Sequence, residues 1–144
     1  MSDPATSPLG PDLGRLIWIW GPVVVSMAAI FVLSGMSSPP TPITVSDKTE
    51  HFVGYGVLGA ITARATAGAT LSGLTGGAAA TAWVVASLYG VSDEYHQSFV
   101  PGRTSDPADA LADTTGAAAA ILGLKAFGII ARSRRSFGAS PRRR

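Results

Sequence analysis

The segment from residue 92 to residue 116 concentrates the side chains of this chain that could do chemistry. It reads SDEYHQSFVPGRTSDPADALADTTG and holds five acids, one histidine, one glutamine and one arginine. The chain as a whole is only 14% charged, whereas an ordinary soluble domain is ~25% charged. Carboxylates beside an imidazole can transfer protons, hold a cation or bind a basic group. The segment is therefore the first candidate for a functional site.

Helical spacing places these groups, together with a second cluster near residue 50, on single helix faces. Residues three, four or seven apart are neighbours on a helix. Three sets follow this spacing: Asp47, Lys48, His51 and Tyr55; Asp93, His96 and Gln97; Asp109, Asp113 and Gly116. Pro107 favours a helix start with Ser105 or Asp106 as the N-cap, which would place Asp113 ~10 Å along the axis from Asp106. Three polar faces at one depth predict a shared interior site.

We predict that ten residues form a binding site: Asp47, Lys48, His51, Tyr55, Asp93, Glu94, Gln97, Arg103, Asp109 and Asp113. The candidates for catalysis among them are His51, Asp93 and Gln97. Acid–base chemistry needs a histidine, either His51 or His96, that is oriented by a carboxylate such as Asp93.

A purely structural role for these charges is the alternative. Arg103 could pair with Asp93 or Asp109 to fasten a helix bundle. Lys48 could pair with Asp113 for the same purpose. However, seven acids gather at this end of the predicted helices with only these two bases, a formal charge of −5. Because two bases cannot pair seven acids, the excess favours a site that binds something.

No metal ion or other cofactor is predicted. Two histidines and several carboxylates could hold a divalent cation, but His51 and His96 come from different predicted helices and no HExxH-type signature occurs. The absence of cysteine excludes thiolate ligands, disulfides and thiol nucleophiles. The stretch GLTGGAAA, residues 73–80, lacks the Lys-Ser/Thr ending of a P-loop. Nucleotides and nucleic acids are therefore not predicted partners.

The apolar segments predict an all-α polytopic membrane protein, a bundle of four transmembrane helices. Residues 16–33 carry no charge, close to the ~20 residues that cross a bilayer core. Residues 68–92 are also uncharged, and two shorter runs are bounded by charged residues that can snorkel to the interface. A cleaved signal peptide is the less favoured alternative for the first segment, because its leader holds two acids and one arginine. The predicted helices cover 16–34, 48–67, 76–96 and 107–130. Small residues predict close approach of these helices, at Gly54, Gly56, Gly59, Ala60, Gly116 and Ala120.

The basic residues predict the orientation of this bundle. Nine of the eleven lysines and arginines fall at the end that holds both termini, and basic residues accumulate on the cytoplasmic side. Both termini are therefore predicted in the cytoplasm, with the acids facing outward from the membrane. Residues 1–14 are predicted to be a disordered tail, 15–131 the transmembrane domain and 132–144 a basic tail. The oligomeric state stays open.

A set of ordered motifs resembles the VanZ-like family of small bacterial integral membrane proteins. The family pattern runs Asp-Lys-x-x-His with a following Tyr, then Asp-Glu-x-x-Gln, Pro-Gly-Arg and Asp-x-x-x-Asn-x-x-Gly. These positions are Asp47, Lys48, His51, Tyr55, Asp93, Glu94, Gln97, Pro101, Gly102, Arg103, Asp109 and Gly116. The resemblance covers residues 16–125. One departure is Asp113, which stands where the pattern has Asn, and a carboxylate only accepts hydrogen bonds unless it is protonated.

The resemblance implies a role at the cell envelope without a settled biochemical activity. The namesake of the family is associated with teicoplanin resistance, so a glycopeptide-resistance role is one implication. We expect an outward-facing pocket of acids and histidine, within the lipid bilayer, that binds a lipid-linked or peptidoglycan-related component. The alternatives are a membrane-embedded enzyme that acts on such a substrate by His/Asp acid–base chemistry, and a small cation-linked transporter.

Overall fold

The chain folds into four α-helices in a computed structural model that describes residues 12–40, 45–70, 72 and 74–138, with side chains to residue 130. The helices are α1 (Leu13–Ser34), α2 (Asp47–Thr66), α3 (Gly76–Gln97) and α4 (Pro107–Gly138). No strand occurs among these described residues, which confirms the all-α prediction. Helix α1 begins inside the predicted N-terminal tail and α4 extends into the predicted basic tail. Residues 1–11 and 139–144 of those tails lie outside the described residues.

Side-chain caps fix where each helix begins. The side chains of Asp12, Ser46 and Thr75 accept hydrogen bonds from backbone amides in the first turns of α1, α2 and α3. Asp106 Oδ1 accepts from the Ala108 amide at 2.9 Å, with Pro107 as the first helical residue of α4. Such caps satisfy backbone donors that have no partner within the helix. The helix start predicted at Pro107 is therefore confirmed, with Asp106 as the cap.

The helices run alternately up and down, so that the C-terminal ends of α1 and α3 meet the N-terminal ends of α2 and α4. At this end, Lys48 of α2 reaches Asp106 at 2.8 Å. At the other end, Arg64 donates to the Trp18 carbonyl at 3.3 Å and its guanidinium lies 5.2 Å from the centre of the Trp18 ring. We call the first of these the charged end, because it holds Asp47, Lys48, His51, Asp93, Glu94, Gln97, Arg103, Asp106, Asp109 and Asp113.

Helices α2 and α4 touch through their backbones. A Cβ atom on Gly59 would lie 2.8 Å from the Ala117 Cα, and one on Gly116 would overlap the carbonyl oxygen of Phe52. Close approach of this kind requires residues without side chains at the contact. This confirms the prediction of small contact surfaces at Gly59 and Gly116. The prediction is wrong at Gly54, where a Cβ would meet nothing within 4 Å.

The surface of the bundle is apolar and much of its interior is polar. Large apolar side chains are more than half exposed on every helix, including Val25, Val53, Leu88 and Leu122. The buried polar and charged residues are Ser34, His51, Thr62, Asp93, Glu94, Gln97, Asp109 and Asp113. By length and composition, two helical segments could cross a membrane, Leu13–Ser34 and Pro107–Ile130. The same measure does not identify α2 or α3 as a span.

Candidate functional site

His51 is the point where three helices of the charged end meet. It lies in the second turn of α2 and is only 8% exposed. Its Nδ1 is 2.9 Å from Oδ1 of Asp113, a fully buried residue of α4. Its Nε2 faces Glu94 Oε1 of α3 at 3.8 Å. Because a carboxylate accepts hydrogen bonds, we assign the proton of this contact to Nδ1. The other ring nitrogen, Nε2, faces the carboxylates of Glu94 and Asp47.

Gln97 connects Arg103 to the acids of α3. Arg103 donates through Nε and Nη2 to Gln97 Oε1, at 3.0 and 2.6 Å. The amide nitrogen of Gln97 donates to Asp93 Oδ2 at 3.2 Å and to Glu94 Oε1 at 3.3 Å. The predicted pairing of Arg103 with Asp93 or Asp109 is therefore wrong. The amide of Gln97 lies between the guanidinium and the carboxylates. Its oxygen accepts from Arg103 and its nitrogen donates to the two carboxylates.

Lys48 pairs with the first turn of α4, whereas the alternative of a structural role had paired it with Asp113. Its Nζ lies 2.8 Å from Asp106 Oδ2 and 3.2 Å from Asp109 Oδ1. The reason is depth: Lys48 is in the first turn of α2 and reaches the first turn of α4, whereas Asp113 lies about a further turn inside and faces His51. Hydrogen bonds from Lys48 and from the Ala108 amide lower the pKa of the Asp106 carboxyl.

His96, the second histidine, points away from this network. Its ring stacks on Phe31 of α1 with the ring centres 4.3 Å apart. Its Nδ1 lies 3.5 Å from the Ser34 hydroxyl, at the limit of a hydrogen bond. The hypothesis that Asp93 orients a histidine is therefore not supported for His96, and the carboxylate that contacts His51 belongs to Asp113. Three residues advance an α-helix by about 300°, so His96 is offset by about 60° from Asp93 around the axis of α3, on the side toward α1.

A cavity of about 200 Å³ lies beside the network, between α1, α2 and α3. Its polar wall comprises Asp47, Glu50, His51, Tyr55, Asp93, Gln97 and Arg103, and its other lining residues are Ile30, Leu33, Ser34, Pro39, Pro40 and Gly54. Six of the ten predicted binding residues thus line the cavity. The other four, Lys48, Glu94, Asp109 and Asp113, lie behind that wall. The apolar wall was missed because α1 is apolar on all sides, which gives its sequence no sign of a cavity-facing stripe.

Two buried polar atoms of the cavity wall are without hydrogen bonds. They are Tyr55 Oη and Asp93 Oδ1, and no atom among the described residues meets hydrogen-bond geometry with either. Tyr55 is 2% exposed and Asp93 is 4% exposed. A buried polar group without a partner costs about 1–3 kcal/mol. A bound molecule that forms hydrogen bonds with these two atoms would therefore gain binding free energy there.

The network also contains two groups of potential metal ligands. In each group, one ligand atom per residue lies within 4.8 Å of the others. One group is His51, Glu94 and Asp113, all buried, and the other is Asp47, His51 and Asp109. Sequence predicted no metal site because these residues lie on three helices and form no local signature. The fold brings them together around a single imidazole.

Comparison with known proteins yields a family match. A family model described as VanZ/LLP1 matches residues 17–129. The matched region extends from α1 into α4 and contains every residue of the charged end. No curated protein and no solved structure matches the chain.

Proposed function

This chain belongs to the VanZ/LLP1 family, and from that premise we propose that it is an integral membrane protein that binds an amphiphilic component of the cell envelope. The observation that carries the proposal is the cavity of the charged end. One of its walls is apolar, with Ile30 and Leu33 of α1, and the other holds charged and hydrogen-bonding groups of α2 and α3. Binding sites commonly combine an apolar lining with a few placed polar groups. A lipid-linked or peptidoglycan-related molecule presents these same two surfaces.

Membrane insertion through four spans is part of this proposal. Its support is the apolar surface of α2 and α3, where Val53, Val57, Leu88 and Val91 are each more than half exposed. Soluble proteins rarely expose contiguous apolar surface of this extent. In a bilayer, lipid would cover these side chains while the acids face the interior of the bundle, as ionisable groups in membranes do.

The proposed orientation places both termini in the cytoplasm and the charged end on the outer face of a bacterial inner membrane. By sequence position, nine of the eleven basic residues are expected at the end with the termini, and this asymmetry governs orientation. An outward cavity would meet envelope precursors, whose polar groups are displayed on that face. The excess of acids at the charged end favours head groups that carry an amine or several hydroxyls.

Cysteine labelling of intact cells would test this orientation. The chain has no cysteine, so a single one can be placed at exposed Ser98 of the charged end or at exposed Gly77 of the other end. We expect a membrane-impermeant maleimide to label Ser98→Cys and to leave Gly77→Cys unlabelled until the cells are opened. Labelling of Gly77→Cys alone in intact cells would place the charged end in the cytoplasm and refute an envelope-facing cavity.

Filling the cavity would test the binding function. Leu33 lines the cavity, whereas its neighbour Val32 does not and is 57% exposed. We expect protein extracted from bacterial membranes to retain an amphiphile in native mass spectrometry. Leu33→Trp is expected to lose most of it because the indole occupies the cavity, and Val32→Trp is expected to keep it. Equal retention by the two variants, or no retained amphiphile in the unmodified protein, would contradict the proposal.

A catalytic role is the second candidate, and one contact favours it. The contact of 2.9 Å between His51 Nδ1 and Asp113 holds the imidazole ring in one orientation. His51 lines the cavity, so Nε2 could act there as a general base. The same mass measurement separates binding from catalysis. If His51→Ala protein retains a larger amphiphile than the unmodified protein, which then holds only its product, the site is catalytic. If both retain the same mass, binding without turnover is supported.

The two remaining hypotheses have weaker support. Leu58 and Thr62 are fully buried inward of Tyr55, which disfavours a continuous path for cation-linked transport. Glycopeptide resistance remains an implication of the family resemblance, because no contact of the cavity is specific for a glycopeptide.

A further inference from the structure

The second ring nitrogen of His51 is held next to acids without a hydrogen bond to any of them. With Nδ1 committed to Asp113, Nε2 lies 3.8 Å from Glu94 Oε1 and 4.0 Å from Asp47 Oδ1. These separations exceed the range of an N–H···O hydrogen bond, which ends at about 3.2 Å. No other atom of the described residues accepts or donates at Nε2 within hydrogen-bond distance. The second ring nitrogen of a largely buried histidine thus faces two carboxylates that it does not reach.

Each of these two separations suits a pair of ligands that share one ion. Nitrogen and carboxylate ligands bind zinc at about 2.0–2.2 Å, so two ligands of one ion lie about 3.0–4.2 Å apart, depending on the angle between them. Glu94 and Asp47 each fall within this range of Nε2. They belong to two different groups of potential ligands, so Asp47 has to move toward Glu94 for both to bind the same ion. Asp47 is about half exposed at the rim of the cavity. Its short side chain can therefore adjust to close the site without disturbing the interior.

Two of the three groups, His51 and Glu94, are held in place by a further partner. Asp113 fixes the His51 ring through Nδ1. Glu94 accepts from the Gln97 amide at 3.3 Å through Oε1 and from the Asp106 backbone amide at 2.9 Å through Oε2. A carboxylate on the far nitrogen of an imidazole, and hydrogen bonds to the ligating carboxylates, are the usual outer partners of a metal site.

The charge around His51 is not balanced by the bases nearby. Lys48 is engaged by Asp106 and Asp109. Arg103 donates its short hydrogen bonds to the neutral amide of Gln97 and is 3.8 Å from Asp47. A separate observation also indicates a missing ligand: Asp93, 4% exposed, lines the cavity with Oδ1 unpaired among the described residues. A cation in the cavity would supply the charge that these carboxylates lack.

We propose that His51 Nε2, Glu94 and Asp47 bind one divalent transition-metal ion, such as Zn²⁺ or Mn²⁺, at the inner wall of the cavity. The imidazole ligand favours Zn²⁺ over Mg²⁺ and Ca²⁺, which take oxygen ligands, and the two carboxylates are ligands that also suit Mn²⁺. Three protein ligands leave at least one coordination position open for a further ligand. The metal site does not depend on the identity of the amphiphile, so the two can be tested separately.

Metal binding to the purified chain tests this proposal. The full chain is prepared in detergent with a tag free of histidine, stripped with a chelator and titrated with Zn²⁺ and Mn²⁺ by calorimetry, with elemental analysis of the ion retained after desalting. We expect one equivalent per chain. His51→Ala and Glu94→Gln are expected to weaken binding by more than the roughly 10- to 100-fold typical of losing an outer partner.

The chain offers its own matched control for this experiment. His96 is the other histidine of the chain and lies at the same end, but it stacks on Phe31 away from the network. His96→Ala is therefore expected to bind metal as the unmodified protein does. Co²⁺ gives a second readout, a visible absorption band that should be present in His96→Ala and absent in His51→Ala.

Three results would overturn the proposal. The first is the absence of a retained equivalent in unmodified protein that is folded by circular dichroism. The second is unchanged affinity in both His51→Ala and Glu94→Gln, and the third is equal weakening by His96→Ala. If His51→Ala does not fold, the nearly isosteric Glu94→Gln decides the question. The cavity variant Leu33→Trp is expected to keep the metal while it loses the amphiphile, so failure of one proposal is distinguishable from failure of the other.

Discussion

Gly116→Ala is expected to destabilise the bundle by about 1–3 kcal/mol or more, the usual cost of forcing additional atoms into a packed interior. A Cβ at this position would overlap the Phe52 carbonyl oxygen and lie 2.8 Å from the carbonyl carbon. Both atoms belong to the backbone of α2 and cannot rotate away, so the two helices would have to separate. The measurement is the free energy of unfolding in detergent micelles, obtained by titration with sodium dodecyl sulfate.

The control for this variant lies on the same helix. A Cβ on Gly123 of α4 would meet nothing within 4 Å, so Gly123→Ala should be neutral or stabilising by up to about 1 kcal/mol through helix propensity. Equal effects of the two substitutions would show that α2 and α4 do not touch at Gly116. Because α4 carries Asp109 and Asp113, separation of these helices should also weaken the site.

The helices were largely predictable because local signals place them. The cap at Asp106 with Pro107 set the start of α4, and uncharged runs marked the remaining segments. The membrane spans were harder to identify by composition, and the reason lies in the interior. Helix α2 buries His51 and Thr62, and α3 buries Asp93 and other polar residues. These residues lower mean hydropathy although the outward faces of both helices are apolar.

The membership of the charged cluster was predictable, but its pairing was not. The spacing of three and four residues placed Lys48 and His51 on one face of α2, and the structure brings both to the acids of α4. Which acid each base meets depends on how far α2 and α4 are offset along their axes, and a sequence does not give that offset. The contribution of α1 to the cavity was unpredictable for a related reason, since nothing in a uniformly apolar helix distinguishes Leu33 from Val32.

The aspartate at position 113, where the family pattern has asparagine, is hydrogen-bonded through one oxygen, and its buried Oδ2 has no hydrogen-bond partner among the described residues. Its Oδ1 only has to accept from His51 Nδ1, which a carboxylate does as well as an amide oxygen. Gly90 makes room for it, because a Cβ there would lie 2.7 Å from Asp113 Oδ2. Since a carboxylate raises the basicity of an imidazole more than an amide does, the departure strengthens His51 as a ligand or base. It therefore does not argue against a functional role of this position.

Tyr55 should separate the architectural and the binding roles of the cavity wall. The ring is 2% exposed between His51 and Tyr89, with ring centres 6.4 and 6.3 Å away. Tyr55→Ala is expected to lower the free energy of unfolding by about 3–5 kcal/mol, as for other buried aromatic residues. Tyr55→Phe should be nearly neutral, because the lost hydroxyl makes no hydrogen bond within the described residues. The sodium dodecyl sulfate titration used for Gly116→Ala measures both variants.

The informative comparison is between the stability and the ligand retention of Tyr55→Phe. If the hydroxyl is unpaired in the protein but hydrogen-bonded to a bound amphiphile, Tyr55→Phe should leave the free energy of unfolding unchanged. The same variant should then retain less amphiphile in native mass spectrometry. If retention is unchanged as well, the hydroxyl has no part in binding and Tyr55 serves only to pack the bundle. If Tyr55→Phe instead loses stability, the hydroxyl has a partner inside the protein, and Asp93 on the same wall is the nearest candidate. That hydrogen bond, and not a missing cation, would then account for Oδ1 of Asp93. The proposed metal site would lose one supporting observation, but its proposed ligands would be unaffected.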